Sequence, residues 1–370
     1  MTGIPSTPTI ERVTTRRLVA PLPRPWAADV TVNHVIVVEA QLSDGTVGHG
    51  FTWTPTVGAS AVHAMLDDEL VPRALGRPAD PEALWMELWT LVHEAGGGGI
   101  TTIALAGLDL ALWDAHARSR GLAIADLLGR RRDAVPLYGS GINLHYSDDE
   151  LAAQARRWVA AGYPAVKMKI GRPELDDDLR RIALVRSIIG PDRALRVDAN
   201  QRWDLNAART AAAALEPLGI DWLEEPLRAD DTAGYRALAA STSIPIAAGE
   251  NLHTVHRFRD LLDAGALQVA QPNVVRVGGI TPFRAIAAEV VARGARLAPH
   301  LQPELSAQLA LAMPEIEAVE RVEEGALADT GVLAGPSPMT LDGAQSRPAA
   351  RPEPGLGIRF LDDRTPQEQP

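Results

Sequence analysis

From Val135 onward, short apolar runs alternate with longer stretches in which apolar residues return every three to four positions, the pattern of repeated strand–helix units. The runs predict strands at Val135–Gly139, Ala165–Ile170, Ala194–Val197, Asp221–Leu223, Ile244–Ala248, Leu267–Ala270, Arg296–Ala298 and Ile316–Val319. Helices such as Asp149–Ala161, Leu175–Ile189 and Leu205–Leu218 lie between them. Ser147 or Asp148 can cap the first of these, Gly162 and Gly190 follow helix ends, and Pro191 cannot continue one. Eight strands in about 190 residues fit a (β/α) barrel, whose chemistry sits at the carboxyl ends of its strands. Upstream, the alternation is missing. Thr31–Leu42, Asp44-Gly45 and Val47–Trp53 predict a hairpin, and Ala59–Leu75, Pro81–Glu94 and Ile103–Arg118 predict helices. Residues 1–134 are therefore expected to form an α+β module ahead of a barrel over residues 135–346. Gly96–Gly99 reads as a helix-to-helix connection, because no phosphate-binding glycine pattern surrounds it. The Pro-rich residues 347–370 read as a tail that returns to the first module or frays.

Composition narrows the partners. The chain has 370 residues, 46% apolar and 22% charged, which is enough for a sizeable core. Lys plus Arg number 36 against 47 Asp plus Glu, so no basic field is available for a phosphate backbone and nucleic acid is not an expected partner. The absence of cysteine excludes disulfides, thiolate metal sites, iron–sulfur clusters and a cysteine nucleophile. No secretory layout opens the chain and no run of about 18 apolar residues occurs, so a cytoplasmic protein without a membrane partner is expected.

Three acidic residues close predicted strands: Asp198 in Val-Asp-Ala-Asn200, Glu224 in Leu-Glu-Glu-Pro226 and Glu250 in Gly-Glu-Asn251. They are spaced by 26 residues and 26 again, one strand–helix unit each, which brings them to one rim of a barrel. Each alone could simply cap the helix that follows. Three in register repel one another unless a cation holds them, and an all-oxygen set suits Mg²⁺. Lys167 and Lys169, two apart in Val-Lys-Met-Lys-Ile170, point to the same face of a strand. Strand-end lysines commonly snorkel to water, but these stand among Val166 and Met168 with carboxylates on the next strands. Near another cation and a metal, such a lysine should have its pKa pushed down toward that of a general base. Across the barrel, His300 ends the strand Arg296–Ala298 and Glu320 follows Ile316–Val319. A lone strand-end histidine is more often structural, yet at this place it would face the far side of a metal-held ligand as a second acid or base, with Glu320 ordering a substrate oxygen.

Together the Lys-Met-Lys, Asp-Ala-Asn-Gln, Glu-Glu-Pro, Gly-Glu-Asn, Gly278-Gly279 and Pro-His300 segments resemble the mandelate racemase subgroup of the enolase superfamily, over about residues 30–325. That resemblance implies an α/β (β/α)₇β TIM-like barrel under an N-terminal α+β capping domain. It also implies Mg²⁺ on three strand-end carboxylates, abstraction of the proton α to a substrate carboxylate, an enediolate intermediate, and a symmetric homo-oligomer. Carried over by position, Asp198, Glu224 and Glu250 match the metal ligands, Lys169 the general base, and Lys167 its electrostatic neighbour. Asn200 matches a substrate-binding residue, His300 the second acid/base, and Glu320 the carboxylic acid that shares a proton with the enediolate. The capping segments around Leu18–Val35 and Gly50–Ala59 resemble specificity loops, in which Arg24, Trp26, His34 and Trp53 are candidate contacts.

One position departs from the family pattern. Asn273 stands where an aspartate normally pairs with the histidine. It is expected to accept a hydrogen bond from the imidazole N–H without stabilising an imidazolium, which makes His300 a poorer base and a readier acid. This tilts the reading toward dehydration of an acid sugar to a 2-keto-3-deoxy acid, ahead of racemisation or epimerisation of an α-hydroxy acid. A Schiff-base aldolase using Lys167 or Lys169 and an inactive metal-binding barrel are the remaining alternatives.

Overall fold

A computed structural model describes residues 7–27, 30–350 and 352–362. The N-terminal layer is an antiparallel sheet in the order β1 (Ile10–Pro21), β2 (Val32–Leu42), β3 (Val47–Thr54). Against it lie α1 (Ala59–Ala64), which runs on through a turn of π-helix into α2 (Val71–Ala74), then α3 (Pro81–Leu91), α4 (Ile100–Arg118) and the short α5 (Ile124–Leu127). Strand β1 was not expected, because in Ile10–Pro21 only Ile10 and Ala20 are buried and its arginines and threonines hide the alternation. Helix α4 is apolar on almost every side because it is packed between this sheet and the barrel.

The barrel follows as β4 (Val135–Ser140), α6 (Asp148–Ala160), β5 (Ala165–Lys169), α7 (Leu175–Ile189), β6 (Ala194–Asp198), α8 (Leu205–Leu215), β7 (Ile220–Glu224) and α9 (Thr232–Ala239). It continues through β8 (Ile246–Ala248), α10 (Val255–Asp263), β9 (Val269–Ala270), α11 (Ile280–Ala292), β10 (Arg296–Leu297), α12 (Pro303–Ala312) and β11 (Val319–Val322). Ser147 caps α6 in a reciprocal box with Glu150. Strands β4 to β10 lie side by side in parallel, β11 pairs with β4, and a parallel bridge from Leu297 to Ile316 joins β10 to the residues leading into β11. The last strand is therefore three residues later than its apolar pattern predicts, and Glu320 lies within it rather than after it. Its inward acidic side chain breaks the apolar run that marks a buried strand.

Inside the barrel, Tyr138, Ala165, Trp222, Ala247, Val269, Ala298 and Ala318 form an apolar floor. The Arg196 guanidinium lies 3.7 Å from the Trp222 ring centroid and 4.4 Å from that of Tyr138, and pairs with Asp221 and Glu317. After the barrel, β12 (Met339–Asp342) and β13 (Gln345–Pro348) form a hairpin, with β13 antiparallel to the start of β4. Beyond it, Leu356, Ile358 and Phe360 are buried, and the Phe360 ring lies 5.3 Å from that of Phe51 on β3. Residues 351 and 363–370 of the expected tail lie outside the described residues. Among the described residues no helix is long and apolar enough to cross a membrane.

The two layers are joined at the start of α11. Asp109 on α4 accepts hydrogen bonds from the backbone N–H and the hydroxyl of Thr281, the Trp113 indole donates to that hydroxyl, and the Trp85 indole donates to the Gly278 carbonyl. A Cβ on Gly279 would come within 2.2 Å of Asp109, so this glycine admits the carboxylate to the helix end. Burial pushes the Asp109 carboxyl up from 3.8 to about 7. The native state thus keeps a proton that the unfolded chain has released, so this group's contribution to stability is lost as pH rises from about 4 to about 7. Asp109→Asn retains an acceptor oxygen and is expected to flatten that part of the stability profile. Thermal unfolding of both proteins at pH 5 and pH 7.5 measures the difference; parallel profiles would contradict it.

Candidate active site

Register builds the site. Lys169 is paired with Asp198 across β5 and β6, and Asp198 with Glu224 across β6 and β7, so three functional side chains stand at one height. Glu224 is level with Ala247, and Glu250 follows three residues on, beyond Gly249. A Cβ on Gly249, at φ 145°, would meet the Gln271 backbone at 2.7 Å, so glycine lets these two strand ends converge. Among the described residues six non-glycine residues have positive φ, and five of them, Asn200, Gln201, Glu225, Leu301 and Gln302, come one or two positions after a site residue.

Oxygens of Asp198, Glu224 and Glu250 all lie within 4.8 Å of one another, and all three residues are buried. Each carboxylate is aimed by a neighbour. Asp198 accepts the Asn200 backbone N–H at 2.8 Å, Glu224 accepts Gln271 Nε2 at 2.6 Å and Trp222 Nε1 at 3.1 Å, and Glu250 Oε1 accepts Asn251 Nδ2 at 3.2 Å. Glu250 Oε2 is buried without a hydrogen-bond partner; His300 Nε2 lies 3.0 Å away but not in hydrogen-bond alignment. Three hard oxygen donors, oriented from behind and with one oxygen left over, fit a divalent cation such as Mg²⁺.

Both lysines point into the barrel. Lys167 Nζ lies 2.5 Å from Glu224, 2.8 Å from Glu320 and 3.5 Å from Asp198, and Lys169 Nζ lies 2.5 Å from Asp198. Burial pulls the Lys169 ammonium down, but Asp198 overrides it and leaves the group above its usual value. Burial raises the Glu320 carboxyl, but Lys167 and then His300 pull it down to about 2, and it accepts the Leu301 backbone N–H at 3.1 Å. In this arrangement the Lys167 ammonium and the Leu301 N–H both face Glu320.

Asn273 also differs from expectation. Its Oδ1 already accepts the backbone N–H groups of Val275 at 3.1 Å and Arg276 at 3.3 Å, which turns Nδ2 toward His300 Nδ1 at 3.0 Å. Backbone N–H groups can only donate, so they settle the amide orientation. Asn273 therefore donates to the imidazole instead of accepting from it, and the neutral ring carries its proton on Nε2. Burial lowers the His300 pKa, with Glu250 and Glu320 acting against it.

Asn200 is exposed at the rim with φ 44°. Trp53 is buried edge-on to Trp26 at 6.1 Å, Arg24 lies 4.9 Å from the Tyr146 ring centroid, and His34 sits in the ladder between Val19 and Thr54. Several positioning residues escaped the sequence reading. Asn143 Oδ1 accepts the Lys169 N–H at 2.9 Å, and Arg181 donates to the Lys169 and Asn143 carbonyls at 3.0 and 2.7 Å. Glu225, buried beside Glu224, takes Asn251 and Gln201 on its oxygens. Glu225 and Asn251 lie within Glu-Glu-Pro and Gly-Glu-Asn, so those motifs were the available signal; Asn143 and Arg181 carried none.

Comparison with known proteins agrees with this geometry. Residues 11–129 match the mandelate racemase / muconate lactonizing enzyme N-terminal domain, and residues 150–364 match the enolase C-terminal domain-like family. A 3,6-anhydro-alpha-L-galactonate cycloisomerase of Streptomyces coelicolor is 36% identical over 327 residues, 88% of this chain and 89% of that protein. An L-talarate/galactarate dehydratase of Salmonella typhimurium is 35% identical over 282 residues, covering 76% and 71%. The crystal structure of an L-talarate dehydratase from Polaromonas sp., complexed with Mg and L-glucarate, superposes with a TM-score of 0.85 at 33% identity, covering 96% of this chain and 95% of that one.

Proposed function

This chain belongs to the mandelate racemase / muconate lactonizing enzyme family of the enolase superfamily, and from that premise we propose that it dehydrates an acid sugar to a 2-keto-3-deoxy acid. The observation that carries the reading is the meeting of Asp198, Glu224 and Glu250 around one point, with Lys169 on one side and His300 on the other. Mg²⁺ held by the three carboxylates supplies the positive charge that an enediolate needs. The relatives include dehydratases of sugar acids, and the bound L-glucarate of one is a small polyhydroxy carboxylate.

Lys169 Nζ takes the α-proton once its pairing with Asp198 is relaxed. Lys167 stays a fixed cation between Glu224 and Glu320, which places positive charge beside the developing enediolate. Lys167, ion-paired on two sides, offers no free amine for a Schiff base. Protonated on both ring nitrogens, His300 delivers its Nε2 proton to the departing β-hydroxyl, which leaves as water, and keeps the proton on Nδ1. No carboxylate pairs with Nδ1, only the Asn273 amide, so the imidazolium is costly and correspondingly a strong acid. In the resting ring the proton on Nε2 leaves no lone pair there to take up an α-proton, which disfavours two-base racemisation.

A panel of aldonates and aldarates, incubated with enzyme and Mg²⁺ and assayed for keto acid, tests the proposal. Formation of keto acid that chelator abolishes supports it. Rapid α-deuteration of both epimers in D₂O without keto acid would favour the racemase reading. Asn273→Asp should separate the two chemistries. Its Oδ1 can keep both backbone bonds while Oδ2 accepts from Nδ1–H, so the imidazolium becomes stable and a weaker acid. Dehydration is expected to slow by about tenfold or more, and exchange from the His300 face to appear in the NMR spectrum. Unchanged turnover without exchange would show that Asn273 does not control His300.

A further inference from the structure

Arg276 lies on the loop after β9 and makes no contact with the three carboxylate head groups. Its Nη1 donates to the main-chain carbonyl of Glu250 at 3.2 Å and to Asn251 Oδ1. Held this way, Asn251 presents its Nδ2 to Glu225 Oε1 and Oε2 at 3.0 and 2.9 Å and to Glu250 Oε1 at 3.2 Å. Glu250 is thus gripped twice, by its backbone and by one carboxylate oxygen, while the other oxygen stays buried and unpartnered. A short loop beyond a three-residue strand could not aim a carboxylate unaided, since no ladder hydrogen bonds reach residues 249–251. The same half-buried guanidinium lies 5.9 Å from the Trp53 ring centroid on β3, so the capping layer touches the far side of the group that holds Glu250.

We propose that Arg276 is a positioning residue that sets cation affinity, tying Glu250 and Asn251 together so that Glu250 Oε2 faces the ion. The inference rests on the magnesium reading of the carboxylate cluster. Outer partners of metal ligands typically govern affinity by about 10- to 100-fold, and an arginine whose Nη1 bridges a carbonyl and an amide oxygen is such a partner.

The test is Mg²⁺ titration calorimetry on the full chain without substrate, alongside thermal unfolding without metal. Arg276→Met is expected to weaken Mg²⁺ binding by about 10- to 100-fold, and Arg276→Lys, which keeps a cationic N–H donor at this position, to lose less. In a double-mutant cycle, Arg276→Met with Asn251→Ala should bind no more weakly than the worse single variant, because both cut one chain of bonds. Mg²⁺ affinity within twofold of wild type in Arg276→Met would overturn the proposal. So would equal losses in the Lys and Met variants, or additive losses in the cycle. If Arg276→Met does not fold, the lysine variant and Asn251→Ala carry the comparison. A wild-type chain that fails to bind Mg²⁺ would refute the metal reading itself, an outcome distinct from a wild type that binds and variants that bind equally well.

Discussion

A Lys169→Arg enzyme is expected to bind Mg²⁺ and to lose about 10³- to 10⁴-fold in turnover. The guanidinium keeps the ion pair that Lys169 makes with Asp198, so the electrostatic balance of the buried cluster survives. It cannot give up its proton at any working pH, so it cannot accept one from carbon. Lys169→Ala should be equally inactive and should bind Mg²⁺ at least as tightly, because the cation that competes for Asp198 is gone. Calorimetry for the metal and keto-acid formation for the chemistry separate these effects, and exchange of the substrate α-proton with D₂O should vanish in both variants. Turnover within tenfold of wild type in the arginine variant would remove Lys169 from the proton-transfer step. Loss of Mg²⁺ binding in both would make it a structural residue.

The second large effect concerns Glu250→Gln. In the wild-type chain three carboxylates crowd together, and Glu250 Oε2 is buried without a hydrogen-bond partner. Removing one negative charge relieves repulsion in the metal-free protein, so its unfolding temperature should rise. The stabilisation that Mg²⁺ confers on the native state should largely disappear, since it scales with the logarithm of ligand over Kd. Activity should fall by about 100-fold or more at any attainable Mg²⁺ concentration. The informative result is the opposite sign of the two thermal shifts. A variant destabilised both with and without Mg²⁺ would point to a packing role for Glu250, and one that keeps the full magnesium-induced shift would exclude it as a ligand.

Much of this site could be read from the chain because barrel geometry converts spacing into height. Asp198, Glu224 and Glu250 recur at the length of one strand–helix unit, and the register that pairs Lys169 with Asp198 and Asp198 with Glu224 is what that spacing requires. Strand ends were harder to place for a chemical reason. Asp198, Glu224 and Glu320 all belong to strands, yet each interrupts the apolar run that announces one. Strand β1 was missed for the complementary reason, since its edge position leaves most of its side chains outside any core.

The covalent order of residues thus determined the family, the capping layer over a barrel, and the set of side chains that stand at its mouth. These depend on local periodicity and on the length of a repeating unit, both of which are written along one dimension. Only the tertiary structure decided that Asn273 turns its nitrogen to His300, that Glu320 lies beside Lys167, and that Arg276 and Asn251 hold Glu250. Those facts are directions of hydrogen bonds and signs of local fields. They are set by groups that meet only when distant segments pack, and no spacing along the chain encodes which of two amide atoms faces a ring.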